Sequence, residues 1–348
     1  MDSVSIEVAW LRNKRFDITF IVGVTLLALG SGALVVAEPS LFPLILLLDL
    51  WFLGYHHVIS TFTRLCFDRQ SIKQNHFFLF YLPIIILVSV VSLVTFIGIW
   101  TIPTLYLYWQ WFHYTRQSYG VGQAYKRKSK QTWNENEWAS KFAVYLLPLW
   151  GILYRSYQAP EKFLFMDIKV IPVSALVVDI VGIMAMVSIC VWGLMRLNTW
   201  RKSKLPLAHT LYMFSHFTIF YVGYIYIEDI TYGWLVINVW HNAQYILFVW
   251  LFNNNRFKSG IDSKSYFLSA ISQTANMKYY FLACLGISTL LYFSIKSSIS
   301  LIDTAILPLG LIVFQTINFH HYVVDGFIWK MRKKPLQKIL AINESENH

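Results

Sequence analysis

The sequence predicts an all-α fold, a polytopic transmembrane bundle of about ten spanning helices with both termini cytoplasmic. Three observations predict it. Of the 348 residues, 56% are hydrophobic and only 14% are charged, whereas soluble domains carry about 25% charged residues. Apolar runs of helix-spanning length recur along the whole chain. The basic residues alternate between the loops that join them, as the positive-inside rule requires.

The first run, near residues 18–37, follows a short polar segment, 1–16, holding Arg12, Lys14 and Arg15. It is too long for the core of a signal peptide and lacks a small-residue cleavage site, so it reads as a retained helix. Glu38 marks the outer turn. The second run, 41–63, returns to a basic stretch from Arg64 to Lys73. The third and fourth, 77–98 and 100–124, cross out and back to "YKRKSK" at 125–130. The fifth and sixth, 138–155 and 170–195, flank an outer segment with Glu161 and Asp167 and return to "RKSK" at 201–204. The seventh and eighth, 206–227 and 230–252, turn at Glu228 and Asp229 and end in the segment from Arg256 to Lys278. The ninth and tenth, 278–296 and 301–328, turn near Asp303 and end at "KMRKKPLQK" in a tail, 330–348. The fourth, fifth and seventh runs are the most polar. Of the 29 Lys and Arg residues, all but Arg155, Lys162, Lys169 and Lys296 fall on one side.

No loop is long enough for a separate soluble domain and no linker divides the chain, so 1–348 reads as a single integral membrane domain. The net charge of +11 lies in short loops beside membrane helices, which points to an anionic membrane face and not to nucleic acid. Cys66, Cys190 and Cys284 lack CxxC spacing and read as buried free thiols. The 14 Trp, 21 Tyr and 26 Phe exceed an interfacial belt, and some are expected to line an apolar cavity. The chain is expected in a bacterial cytoplasmic membrane as a multi-pass protein.

The histidines carry the functional signal. Ionisable groups within spanning helices are costly and mark functional sites, and nine of the 10 histidines lie in or beside proposed helices. His56 and His57 lie before the inner end of the second helix, His113 near the inner end of the fourth, and His241 near the middle of the eighth. His320 and His321 lie before the inner end of the tenth. His209 and His216, single histidines on the seventh helix, read first as interhelical hydrogen-bonding residues. His76 reads as interfacial and His348 as tail.

Helical spacing sharpens the cluster, because residues three, four or seven apart share a face. Asn318, His321 and Asp325 form one stripe on the tenth helix, with His320 one step round. "NVWHNAQY" aligns Asn238, His241, Gln244 and Tyr245, and "WQWFHYTRQ" aligns Gln110, His113, Arg116 and Gln117. On the second helix Asp49 and His56 share one face, and His57, Thr61 and Arg64 the next. The expected metal ligands are His56, His57, His113, His241, His320 and His321. Asp325 ligates or orients, and Tyr245 shares the catalytic role. Histidine with carboxylate and no thiolate suits iron, copper, manganese or zinc. Arg64, Arg116 and Arg256 either serve the positive-inside pattern or hold a polar substrate group at the mouth of the cavity.

Histidine clusters on the cytoplasmic side of several membrane helices resemble the membrane-bound non-haem iron desaturases and hydroxylases. The resemblance is one of design: "YHHVISTFTR" and "FHHYVVDGFIWK" look like the paired ends of that family's histidine boxes, but the spacings HxxxH and HxxHH do not occur. A second similarity, of His241 and Tyr245 with His320 and His321 to the copper site of haem-copper oxidases, lacks the HxH haem ligands. The first resemblance implies a metal-dependent oxidoreductase with one or two iron ions, acting on a lipid or other apolar substrate and drawing electrons from a separate donor. Two other classes use the same residues: a transporter or channel in which intramembrane His and Asp carry protons or cations, and a lipid head-group transferase built on the arginines and a histidine base. Against transport, the outer halves hold almost no ionisable residue besides Asp179.

Overall fold

The computed structural model describes residues 6–129, 136–202, 205–301 and 308–340. The expectations that rest on Lys130, Lys204, Asp303 and His348 lie outside the described residues. Helix makes up 83% of the described residues, with almost no strand, so the fold class is all-α. The long helices are α1 (Lys14–Ala37), α2 (Pro39–Leu65), α3 (Phe77–Phe96), α4 (Thr101–Lys128), α5 (Glu137–Tyr157), α6 (Ala175–Lys202), α7 (Leu207–Tyr221), α8 (Ile230–Arg256), α9 (Met277–Leu301) and α10 (Leu309–Ile328). Among the described residues, six segments are long and apolar enough to cross a membrane: α1, α2, α3, α6, α8 and the stretch Thr274–Leu301 that contains α9.

The apolar faces of several helices stay uncovered. On α6, Leu176, Ile180, Ile183, Val187 and Leu194 are exposed, as are Ile84, Ile85 and Val88 on α3. In water such continuous apolar strips would drive aggregation. Lipid is the solvent that suits them. Helix α8 is the opposite case, buried along nearly its whole length.

The chain forms two compact units. The first draws on the chain up to Phe42, on Leu107–His241 and on the chain from Trp329; the second on Pro43–Tyr106 and Asn242–Ile328. In the first unit α5 packs against α6 and α7. Small residues permit it: a Cβ on Gly182 would strike the Trp150 indole, and one on Gly151 would strike the Tyr224 ring. Close approach at small residues is the usual contact between helices in lipid. Arg155, fully buried, donates to the carbonyls of Gly223, Ile227 and Glu228, satisfying the chain where the helical stretch after α7 ends. Near the N-terminus Asp17 accepts from the backbone N–H groups of Leu11, Arg12 and Asn13 and from the Tyr125 hydroxyl at 2.6 Å.

In the second unit α10 packs on α3, α2 and α9, and α9 packs on α2. Helix α2 is not regular. It has a 3₁₀ turn at Pro39–Leu41, a π-helical stretch at Asp49–Tyr55 and an α-helical end at His56–Leu65. The wider π turn bonds i to i+5, so the α-helical i, i+7 relation expected between Asp49 and His56 does not hold across it.

Candidate metal centre

Three helices bring the centre together within the second unit. The α-helical end of α2 buries His56, His57, Thr61 and Thr63. It is fixed against α9 by stacking of Tyr55 on Tyr292, centroids 3.8 Å apart, and by the Thr63 to Tyr280 hydroxyl contact of 3.2 Å. Asn253 of α8, fully buried, donates to both of those hydroxyls at 3.0 and 3.2 Å. A polar brace therefore joins α2, α8 and α9 two residues beyond Thr61.

The centre consists of His57 and Thr61 from α2, Tyr245 from α8, and His321 and Asp325 from α10, all buried. The Nε2 atoms of His57 and His321 are 2.6 Å apart. His321 Nε2 lies 3.5 Å from Asp325 Oδ2. The Tyr245 hydroxyl donates to Asp325 Oδ1 at 2.7 Å and lies 2.7 Å from Thr61 Oγ1. Thr61 Oγ1 is in turn 2.9 Å from His321 Nδ1. The Tyr245 ring stacks on His57 with centroids 4.1 Å apart.

This group could hold a metal ion. The ligand atoms of His57, His321 and Asp325 lie within 4.8 Å of one another, while donors on opposite sides of one ion at bond lengths of 2.0–2.2 Å are at most about 4.4 Å apart. Two imidazole lone pairs facing each other at 2.6 Å repel unless a proton or a cation lies between them, and the carboxylate beside them favours positive charge there. The second unit contributes two imidazoles and one carboxylate to the donor set, without thiolate.

His56 and His320, next to the ligand histidines in sequence, turn elsewhere. Successive residues on an α-helix point about 100° apart, so His56 and His320 cannot follow His57 and His321 into the centre. The His56 ring meets Phe281 with centroids 5.9 Å apart, and His320 Nε2 donates to the Phe78 carbonyl at 2.7 Å while its ring stacks on Phe62. His113 and His241 belong to the first unit, where their rings meet edge to face at 4.9 Å. The faces expected from sequence do meet around them: Trp234 donates to Gln110 Oε1 at 2.7 Å, and Tyr114 donates to Asn238 Oδ1.

Among the arginines, Arg64 lies over the Phe252 ring at 4.4 Å and interacts electrostatically with Tyr245 and Asp325. Arg256 pairs with Asp68 at 2.9 Å, and Arg116 lies beside the Phe112 ring. His209 accepts from Arg196 at 3.0 Å; His216 donates to the Val144 carbonyl at 3.1 Å and lies 2.8 Å from the Ser118 hydroxyl. Both therefore bond between helices. Sequence reading gave no role to Thr61 or Asn253, although Thr61 lies one turn from His57 and that spacing was visible. No protein-family model, curated protein or solved structure matches the chain.

Proposed function

We propose that this protein is a metal-dependent membrane oxidoreductase that holds non-haem iron at His57, His321 and Asp325 and acts on a lipid or other apolar substrate. The observation that carries the reading is the convergence of two imidazole nitrogens and one carboxylate, buried among membrane helices. Two histidines and a carboxylate with further positions open are characteristic of non-haem iron oxygenase sites. Bound iron would supply the oxidative chemistry. The protein would contribute ligands of low charge, a site shielded from water, and Tyr245 and Asp325 placed to hold a proton at its edge. Electrons would come from a separate donor, since the sequence holds no CxxCH haem site or cysteine-rich cluster motif, and the basic loops suit an acidic redox partner.

The reading includes a topology of ten spans with both termini cytoplasmic. Helices α4, α5, α7 and α10 complete the count beyond the six segments of sufficient length and apolarity.

Metal analysis of protein purified without chelator tests the function. Close to one equivalent of iron per chain is expected, lost on chelation and absent from His321→Ala. Stoichiometric zinc instead of iron would point to hydrolytic chemistry at the same ligands. A folded protein without bound transition metal would sink the reading.

A further inference from the structure

We infer that Thr61 is a positioning residue that sets the tautomer of His321, through a one-way chain of hydrogen bonds ending on Asp325. The inference deepens the metal-centre reading and rests on it only for the use made of the tautomer. The chain has three links: His321 Nδ1 to Thr61 Oγ1 at 2.9 Å, Thr61 Oγ1 to Tyr245 Oη at 2.7 Å, and Tyr245 Oη to Asp325 Oδ1 at 2.7 Å.

Counting protons gives its direction. A carboxylate only accepts, so the Tyr245 hydroxyl spends its one proton on Asp325. Tyr245 Oη must then accept from Thr61, which spends the threonine proton. Thr61 Oγ1 can therefore only accept from His321, and the proton of His321 lies on Nδ1. A neutral imidazole with its proton on Nδ1 carries its lone pair on Nε2. That is the nitrogen 2.6 Å from His57 Nε2 and 3.5 Å from Asp325 Oδ2. Thr61 thus holds the ring in the one neutral form that leaves Nε2 open as a ligand. It performs the orienting task that usually falls to a carboxylate or backbone carbonyl behind a ligand histidine.

The surroundings make the chain rigid. Thr61 is β-branched and restricted in χ1 on a helix. Tyr245 is held by its stack on His57, and the four members of the chain are buried together with His57. The chain also joins α2, α8 and α10, so ligand geometry and helix packing depend on the same hydroxyls.

The test reads the tautomer directly. Full-length metal-free protein carrying ¹⁵N-labelled histidine is examined by NMR, with the His321 signals assigned by their loss in His321→Gln. Wild type and Thr61→Ser should show the Nδ1–H form, because serine keeps the hydroxyl. Thr61→Val, nearly the same shape without the hydroxyl, should lose the preference. Tyr245→Phe should reverse it, because the Thr61 proton is then free to donate to Nδ1. In a parallel titration with ferrous iron, Thr61→Val should bind about 10–100-fold more weakly, and Thr61→Ser should match wild type. Should Thr61→Val fail to fold, Tyr245→Phe decides by the same readout. An Nε2–H tautomer in wild type, or an unchanged tautomer in Thr61→Val or Tyr245→Phe, would overturn the inference. The expected tautomers without iron binding in any protein would retain the chain and sink the metal reading.

Discussion

At the scale of single residues, the two members of each adjacent histidine pair face different surroundings. His57 and His321 reach the centre, whereas His320 is committed to the Phe78 carbonyl at 2.7 Å. Glutamine at 320 can still donate an amide proton to that carbonyl, so His320→Gln should bind metal as wild type does. His321→Gln removes a ligand nitrogen and should lose at least the 10–100-fold in affinity that an outer partner is worth. Equal metal loss in the two variants would show that His320 also ligates. Asp325 was legible as a partner of His321 because i, i+4 residues on one helix share a face. Its bond to Tyr245 was not, because that hydroxyl arrives from another helix.

At the scale of elements, the ends of helices carry charges that do definite structural work. Asp68 caps the short helix Arg69–Gln74 by accepting from the Ser71 N–H and hydroxyl, each at 2.8 Å, and pairs with Arg256 at the end of α8. Burial pushes its carboxyl up, but the bonds from Ser71 and the Arg256 guanidinium outweigh burial and hold it below the usual carboxylate range. A depressed carboxylate pKa means that the stabilisation is complete at neutral pH and is lost as pH falls through that lowered value. Asp68→Asn keeps a good cap but removes the charge. Unfolding in detergent at pH 7 should show it less stable by about 1–2 kcal/mol, with a smaller further loss on acidification than wild type shows. Identical acid sensitivity in the two proteins would dismiss the pair as a source of stability. Arg256 thus has a structural partner that its place in the positive-inside pattern did not reveal.

At the scale of the whole molecule, length and hydropathy pick out six helices able to span a membrane among the described residues. The remaining long helices are polar for a physical reason visible on α7, where Ala208, His209, Thr210, Tyr212, Ser215 and His216 are all buried. Their surroundings are protein, so polar side chains find partners there and apolar ones are not required. The proposed topology follows from charge: a reporter fused after Lys338 should read cytoplasmic, and one inserted between Gln158 and Lys162 should read external. Two readings on the same side would require an even number of crossings between those points, where the proposed topology has five, and would remove the even total.

The sequence by itself determined the solvent of this protein, its helical class and the few residues able to carry metal chemistry. Those properties follow from composition and from the cost of placing His and Asp in lipid. Spacing along one helix also revealed His321 with Asp325, since regular α-helix converts separation into direction. Direction failed at Asp49 and His56, where a π-helical stretch changes the residues per turn. Only the tertiary structure decided which histidine of each pair points inward, that Thr61 and Tyr245 join His321 to Asp325, and which partners His209 and His216 bond to. Those outcomes depend on how far each helix is rotated against its neighbours. That rotation is set by packing many side chains at once and is written in no single segment.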